Sequence, residues 1–300
     1  MQSETNELIS SGRFAELIFE LLLRTSCELP ADVERALQQA LLTEEEGSTA
    51  RLILSLFLEN IKLARTEKVP LCQDTGMPLF FIRHPENVSQ PLMARAVRES
   101  VIRATEAQLL RPNAVDPVTG KNSGNNLGEG FPGIYFMESE EPLIEVSLIL
   151  KGGGSENVSA QYSLPHTALN AGRDMEGVRR VVLNAVRKAE GKGCPPGVLG
   201  VCLGGDRASG YAESKRQLLR RLDDVNPDPL LAELEQRLLY EANELGIGPL
   251  GLGGESTLLG VKIGKLHRLP ASYFVTVSYM CWEHRRRTLR LTPDGTYSVI

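Results

Sequence analysis

Helical and strand-like hydrophobic patterns alternate along this chain, and this alternation is the strongest constraint on its fold. Between the helical stripes, short apolar runs bounded by glycine, proline or polar residues are typical of strands. Because helices interleave with strands, we predict an α/β fold: a helix-rich single domain over residues 1–300 with mixed β-sheets. The predicted helices are Phe14–Leu23, Ala31–Leu42, Ser48–Thr66, Pro91–Leu110, 178–189 with Asp174 as its cap, Ala208–Arg220 and Pro229–Leu245; the predicted strands are Leu79–Ile82, Leu143–Leu150, 198–205 and 272–280.

Composition and charge exclude several classes of protein. Hydrophobic residues make up 42% of the chain and charged residues 24%, which is typical of a globular protein with a proper core. The net charge of −5 argues against a dedicated nucleic-acid binder, and the basic run Arg285–Arg287 with Arg290 is interpreted as a solvated or carboxylate-binding surface. Met1–Glu7 lacks the basic start of a signal peptide, and no apolar run approaches the roughly 18 residues of a membrane span. We therefore expect a cytoplasmic protein that binds neither nucleic acid nor membrane.

Five widely spaced cysteines do not form the pattern of a disulfide framework. Cys72, Cys194 and Cys281 lie beside the ends of predicted strands, where folds gather residues that are distant in sequence. Cys194 also precedes two prolines, which fix the backbone. The gaps between these cysteines are too long for a local metal-binding motif, so a shared site would have to be assembled by tertiary folding.

Two interpretations of these thiols remain open from the residues alone. Free cysteine is often a buried packing residue, and this suits Cys27, which follows a helix, and Cys202, which lies inside an apolar strand. Alternatively, Cys72, Cys194 and Cys281 bind an iron–sulfur cluster. Three thiolates would leave one iron without a protein ligand, an open Lewis-acid position that a purely redox cluster would not need.

The glycine-rich segments do not match nucleotide-binding motifs. "GIGPLG" follows a predicted helix instead of a strand, so it is a poor dinucleotide fingerprint. "GPLGLGGEST" places Glu255 where a P-loop needs lysine. Either the backbone N–H groups of "KGGGSEN" and "GLGGEST" hold an anion, or their glycines allow tight turns at positive φ.

Five motifs in order carry a resemblance to a known family. They are "CQDTG", "GGGSEN", "GCPPGVLGVCLGG", "GIGPLGLGGEST" and "HRLPAS…CWEHRR". From about residue 8 to 290 the chain resembles the class I iron–sulfur fumarases and the related L(+)-tartrate dehydratases, specifically their α-subunit or N-terminal half. The resemblance implies a [4Fe-4S] cluster held by Cys72, Cys194 and Cys281, and reversible addition of water to a dicarboxylate.

The resemblance also implies roles for other residues and a partner. Gln73 and Asp74 would contact the substrate hydroxyl and carboxylate as catalytic residues, with Asp74 handling a proton. Arg111 would clamp a carboxylate, for which guanidinium is suited, and Gly153 or Gly154 would supply backbone donors. The catalytic base would come from a β-subunit in an α2β2 assembly, so the chain alone is expected to hold a cluster and catalyse almost nothing.

The substrate and the competing classes stay open. "GGGSEN" favours fumarate and malate, whereas "CWEHRRRTL" is similar to the L-tartrate branch. Leu269 stands where many fumarases carry a histidine, which leaves the role of His267 open. The other hypotheses are an enzyme that uses Cys72 as a nucleophile near Asp74, and a regulatory subunit without a cluster; the intact cysteines argue against the latter.

Overall fold

The computed structural model describes residues 9–300, so the polar segment Met1–Glu7 lies outside the described residues. The chain forms two compact units. The first consists of 9–30, Asn60–Gly152 and Arg285–Ile300, and the second of Ala31–Glu59 and Gly153–His284. Each contains helices and a mixed sheet, which confirms the predicted fold class. That the whole chain behaves as one domain stays a prediction.

The regular elements follow one another in the order that the hydrophobic patterns predict, with several additions. In chain order they are α1 (Arg13–Cys27), α2 (Ala31–Thr43), α3 (Thr49–Glu67), β1 (Met77–His84), α4 (Gln90–Glu106), β2 (Gly133–Glu138), β3 (Ile144–Lys151), α5 (Gly153–Asn157), β4 (Ala160–Ser163), α6 (Met175–Ala189), β5 (Gly197–Gly204), α7 (Arg207–Gln217), α8 (Pro229–Asn243), β6 (Leu258–Leu266), β7 (Phe274–Met280), β8 (Arg286–Leu291) and β9 (Tyr297–Val299).

The first unit is built on a five-stranded sheet in the order β2-β1-β3-β8-β9. β1 and β2 run parallel, and the other neighbours run antiparallel. Helices α1 and α4 pack together against the sheet, and their apolar stripes form one core with β1, β3 and β8. The loop that carries Cys72 leads into β1, so this sheet fixes where the loop ends.

The second unit is built on a four-stranded sheet in the order β4-β7-β5-β6. β5 and β6 are parallel, whereas β7 is antiparallel to both β4 and β5. Helix α6 begins as predicted, because Asp174 accepts the main-chain N–H of Gly177 at 2.7 Å, a standard N-cap bond. Its valine stripe packs with α8 against the sheet. Val198 in β5 pairs with Met280 in β7, which places the start of β5 beside the end of β7.

The structure corrects several predicted boundaries. Helix α4 ends at Glu106, four residues before the predicted end at Leu110, and "GGGSEN" contains the short helix α5 instead of being all loop. Strands β2, β4, β6, β8 and β9 were not predicted. In β6 and β8 the alternation is masked by charged side chains that are nonetheless buried, such as Lys262 and Arg287. The segment 111–132 contains no regular strand or α-helix.

No helix within residues 9–300 is both long enough and apolar enough to cross a membrane.

Candidate metal centre

Both main-chain polar groups of Leu71, the residue before Cys72, are hydrogen-bonded. The main-chain N–H of Leu71 donates to the carbonyl of Ser26 at 3.1 Å, and the side-chain amide of Asn60 donates to the carbonyl of Leu71 at 2.9 Å. Leu71 itself is buried. Because both polar groups of this residue are satisfied inside the first unit, the cysteine that follows emerges from an anchored point.

Cys72 opens a tight polar turn that ends at Gly76. Its Sγ accepts the main-chain N–H of Asp74 at 3.3 Å, and Oδ1 of Asp74 accepts the main-chain N–H of Gly76 at 3.1 Å. An N–H bond to sulfur is one of the factors that set the reduction potential of an iron–sulfur cluster. Gly76 has φ +77°, and a β-carbon there would lie 2.9 Å from backbone atoms of Leu150 and Lys151. The glycine of "CQDTG" is therefore required by the fold.

The buried residue Arg285 supports this turn through a hydrogen bond to its backbone. Its side chain is 1% exposed, and its guanidinium donates from Nη2 to the carbonyl of Asp74 at 2.7 Å. The carbonyl of Arg285 accepts the main-chain N–H of Leu150 at 3.1 Å, which fixes it just before β8. A charge-assisted bond of this kind is stronger than a neutral one, so Arg285 holds the Asp74 peptide in place.

Of the two interpretations of the arginine run, the solvated surface is therefore wrong for three of its four residues. Arg285, Arg286 and Arg287 are 1%, 7% and 9% exposed, whereas Arg290 is exposed and pairs with Glu145 at 2.8 Å. The alternation of β8 turns successive arginines to opposite faces, and sequence composition alone could not reveal that both faces are covered.

Arg111 lies against the turn that Cys72 opens. Its main-chain N–H donates to Oγ1 of Thr75 at 2.9 Å, and its guanidinium reaches the carbonyl of Gln73 at 3.4 Å. The buried Asn126 binds the loop that follows, donating to the carbonyl of Arg111 at 2.7 Å and accepting the main-chain N–H of Asn113 at 2.6 Å. The first unit thus brings Cys72, Gln73, Asp74 and Arg111 together.

Cys194 and Cys281 meet at one end of the second unit's sheet. Cys194 lies three residues before β5, and Cys281 directly follows β7. The main-chain N–H of Trp282 donates to the carbonyl of Cys194 at 3.1 Å, and Sγ of Cys281 contacts the carbonyl of Glu283 at 3.9 Å. Burial raises the pKa of Tyr279, and the charges of Cys281 and Cys194 raise that pKa further. Both sulfurs are therefore electrostatic neighbours of one aromatic side chain.

The turn at Cys194 has a special backbone conformation. Cys194 has φ +51°, in the left-handed region that costs a non-glycine residue energy and is frequent at functional sites. The carbonyl of Pro195 accepts the main-chain N–H of Leu250 at 2.9 Å. A β-carbon on Gly191 would lie 2.7 Å from the carbonyl oxygen of Leu250, so the 3₁₀ turn Pro249–Gly251 packs directly on the cysteine turn. Rigid presentation of Cys194 is what the two prolines predict.

Gly154 also lies at this turn. A β-carbon on Gly154 would stand 3.5 Å from the carbonyl oxygen of Lys192, two residues before Cys194. That distance is an ordinary van der Waals contact, so the backbone of α5 runs close to the cysteine turn. The second unit thus brings the predicted residue Gly154 close to the backbone that leads into Cys194.

The two remaining cysteines are packing residues. Cys27 is 2% exposed at the end of α1, and Cys202 is fully buried in β5. Burial, helped by the charge of Glu28, raises the pKa of Cys27 to about 11. Burial, helped by Glu213, raises the pKa of Cys202 to about 12. Because the thiolate is the form of cysteine that binds a metal, these two residues are unsuited to metal binding.

The second glycine-rich segment binds an anion that belongs to the chain itself. The main-chain N–H groups of Glu255 and Ser256 donate to the two carboxylate oxygens of Glu44, at 3.0 and 2.9 Å. Glu44 is 3% exposed, and Gly254 at φ +129° leaves no room for a β-carbon beside it. Both open interpretations of "GLGGEST" therefore apply: its glycines make tight turns, and its amides hold a carboxylate. The sequence gives no signal that Glu44 is the partner.

His267 lies at the far end of the same sheet. It follows β6, whose last residue Leu266 pairs with Gly204 at the end of β5 that is remote from Cys194. A strand of about eight residues separates the two ends by roughly 25 Å at about 3.3 Å per residue. Within the second unit, His267 and the exposed Leu269 therefore lie far from Cys194 and Cys281.

The three motif cysteines differ from Cys27 and Cys202 in being exposed or half-buried. Among the residues that the structure describes, no three His, Cys, Asp or Glu side chains are grouped so that they could hold one ion. The thiolates of a cluster bind different irons, so they need not converge on a point. Cys72 and Cys281 are half-buried and Cys194 is exposed, and none of the five cysteines is in a disulfide. Fold and thiols together describe an α/β protein with a candidate iron–sulfur centre.

Comparison with known proteins identifies the family. The profile of the fumarate hydratase (fumerase) family matches residues 15–290. A protein from Geobacillus stearothermophilus that is named fumarate hydratase class I is 46% identical over 282 residues, covering 93% of this chain and 55% of its own length. An L(+)-tartrate dehydratase subunit alpha from Escherichia coli K12 is 31% identical over 305 residues, covering 99% of this chain and 97% of its own length.

A protein from Methanocaldococcus jannaschii that carries the name L(+)-tartrate dehydratase subunit alpha is 36% identical over 288 residues, covering 94% of this chain and 99% of its own length. The chain thus spans about half the length of the Geobacillus relative and nearly all of the other two. It belongs to the fumarate hydratase (fumerase) family, which confirms the resemblance inferred from the five motifs.

Proposed function

We propose that this chain is the cluster-binding subunit of an iron–sulfur hydro-lyase that adds water to fumarate and removes it from malate. The observation that carries the proposal is the meeting of Cys194 and Cys281, far apart in sequence, at adjoining strand ends of one sheet. Cys72, beside Asp74 and Arg111 in the first unit, is the third proposed ligand. When bound, a [4Fe-4S] cluster with three protein ligands supplies an open Lewis-acid position.

The residues around Cys72 would bind and orient the dicarboxylate. Arg111 is exposed and already reaches the turn, so its guanidinium can clamp a carboxylate with two parallel bonds. Gln73 is exposed and would contact the substrate hydroxyl. Asp74 keeps one carboxylate oxygen on the Gly76 amide, and its other oxygen would exchange a proton with the departing or arriving water. Backbone N–H groups of Gly153 or Gly154 would stabilise charge on the second carboxylate.

A partner subunit would complete the site. Two relatives that match this chain over nearly their whole length are named as alpha subunits, and the Geobacillus relative has about as much chain again. We propose that a β-subunit supplies the base that removes the proton from carbon, in an α2β2 assembly. The isolated chain would then retain iron without turnover. A cytoplasmic location accompanies this proposal, because thiols at three exposed or half-buried positions suit a reducing compartment.

L-Tartrate is the second candidate substrate. The alpha subunits from Escherichia coli and Methanocaldococcus jannaschii carry that name at 31% and 36% identity, against 46% for the relative named as a fumarate hydratase. The higher identity supports fumarate, as does the "GGGSEN" segment next to the Cys194 turn. A cysteine-nucleophile enzyme needs a base beside Cys72. The hydrogen bond at Cys72 comes from a donor and not from a base, because Sγ accepts the main-chain N–H of Asp74 at 3.3 Å.

The test combines iron analysis with turnover. The chain is purified without oxygen as wild type, as Cys194→Ala and as Cys202→Ala, a matched change at a buried thiol of the same strand region. We expect about four irons and four sulfides per wild-type chain, the same for Cys202→Ala, and loss of iron for Cys194→Ala. Addition of the β-subunit should then give hydration of fumarate by the two iron-bearing proteins. Iron retention by Cys194→Ala equal to wild type would remove the ligand assignment, and faster conversion of L-tartrate would reverse the choice of substrate.

A further inference from the structure

Tyr279 fills the space between the two cysteine-bearing segments of the second unit. It is the penultimate residue of β7, two residues before Cys281, and it is 2% exposed. Ideal β-carbons on Gly193 and Gly197 would lie 2.5 and 2.4 Å from atoms of its ring. These two glycines flank Cys194 on either side. The ring of Tyr279 therefore occupies the space that side chains at positions 193 and 197 would need.

The backbone of Tyr279 is also anchored on the side of α5. Its main-chain N–H donates to Oγ of Ser159 at 3.1 Å, and that hydroxyl donates to the carbonyl of Ser155 at 3.1 Å. The ring is thus held by β7 at one end and pressed against the Cys194 turn at the other. Since an aromatic ring has few rotatable bonds and cannot be compressed, its width sets how closely the turn approaches the end of β7.

We propose that Tyr279 is a positioning residue whose ring is a rigid spacer between the Cys194 turn and the end of β7, and so fixes the placement of both cysteines for a cluster. This inference rests on the proposed function, because it assigns a role in holding the same group. The glycines at 193 and 197 then have a reason beyond turn geometry: they are the surface that receives the ring. Residues that orient metal ligands from behind typically change metal affinity by about 10- to 100-fold when they are altered.

Three variants of the full chain test the spacer. Tyr279→Phe keeps the ring, Tyr279→Leu removes it, and Tyr162→Leu makes the same change at a buried tyrosine of the same sheet, opposite Val275 and four residues away along β7. The reconstituted proteins are compared by competition for iron with a chelator and by the electron paramagnetic resonance spectrum of the cluster after one-electron reduction. We expect Tyr279→Leu to lose iron affinity by about 10- to 100-fold with a changed spectrum. Tyr279→Phe and Tyr162→Leu should behave as wild type in both measurements.

A double-variant cycle covers the case in which Tyr279→Leu affects folding alone. Gly197→Ala places a methyl group against the ring and should by itself displace the Cys194 turn and weaken iron retention. Combining it with Tyr279→Leu relieves that overlap, so the double variant should hold iron better than Gly197→Ala. Additive losses would overturn the spacer, because a ring that sets the position of the turn must couple with the residue that it contacts.

The outcomes separate this inference from the proposed function. If wild type binds no cluster, or if Cys194→Ala binds as much iron as wild type, the proposed function fails. If wild type holds a cluster and Tyr279→Leu holds it with the same affinity and spectrum, only the spacer is refuted. Loss in Tyr279→Phe equal to that in Tyr279→Leu would assign the effect to the hydroxyl and also overturn the spacer.

Discussion

The substitution Gly76→Ala tests whether the "CQDTG" turn is fixed by the fold. Gly76 has φ +77°, and its added β-carbon would lie 2.9 Å from the carbonyl carbons of Leu150 and Lys151 and from the oxygen of Lys151. All three are backbone atoms of β3, which cannot move aside as a flexible side chain can. The left-handed conformation costs alanine about 1–2 kcal/mol, and overpacking adds about 1–3 kcal/mol. The expected loss in the free energy of unfolding is therefore about 2–5 kcal/mol, a large part of a typical total of about 5–15 kcal/mol.

Gly120→Ala is the matched control for this experiment. Gly120 has φ +69° in the same unit, but nothing lies within 4 Å of its ideal β-carbon. It should therefore lose only the conformational part, about 1–2 kcal/mol. Urea unfolding of the three proteins gives both values, and an unchanged slope shows that stability alone has changed. Equal losses at the two positions would refute the argument that β3 excludes a side chain at Gly76.

Three further predictions concern other parts of the structure. Glu44→Gln should lower the free energy of unfolding by about 1.5–3 kcal/mol, because a carboxylate that accepts two N–H groups becomes an amide, whereas exposed Glu45→Gln should change it by less than about 0.5 kcal/mol in the same urea assay. Gly154→Ala should leave unfolding unchanged, since its β-carbon meets only the Lys192 oxygen at 3.5 Å, but should raise KM for the dicarboxylate in the complete enzyme; an unchanged KM would remove Gly154 from the site. Burial raises the pKa of Cys27 from 9.0 to about 11, which favours the thiol in the folded state. The contribution of Cys27 to stability is therefore complete below pH 9 and is lost as pH rises through about 11. In Cys27→Ala, the urea midpoint plotted against pH should lose its decline over this range.

Helices were predictable from sequence where their signals are local. In α6 the valine stripe repeats at helical spacing, and the cap Asp174 lies directly before the helix, so both signals fall within one short window. Strands β6 and β8 lack such a window. Lys262 in β6 is buried because it pairs with Asp224 at 2.6 Å, and Arg287 in β8 because it pairs with Glu28 at 2.8 Å. A charged residue looks exposed until its distant partner is known.

The residues of the candidate site likewise differ in whether a local sequence signal could predict them. The motif cysteines were predictable because turn residues and strand ends surround them in sequence, and the structure indeed places Cys194 and Cys281 at adjoining strand ends. Arg285 and Glu44 were not predicted as supports, because each acts on a segment about 210 residues away. Gly193 and Gly197 were not singled out from the sequence, because the ring of Tyr279 that lies against them comes from a strand about 80 residues away.

Each position of "CQDTG" can now be assigned to a separate physical requirement. Cys72 presents a sulfur that accepts the Asp74 amide, and Asp74 closes the turn onto Gly76. The Thr75 hydroxyl accepts the Arg111 amide at 2.9 Å while the residue is 1% exposed, and Gly76 leaves no space for a side chain. Gln73 differs from these four. Its side chain is exposed and makes no hydrogen bond with the described residues, since its only contact with Arg111 is through its carbonyl. The fold therefore explains four positions of the motif and leaves the amide of Gln73 to be explained by what it binds.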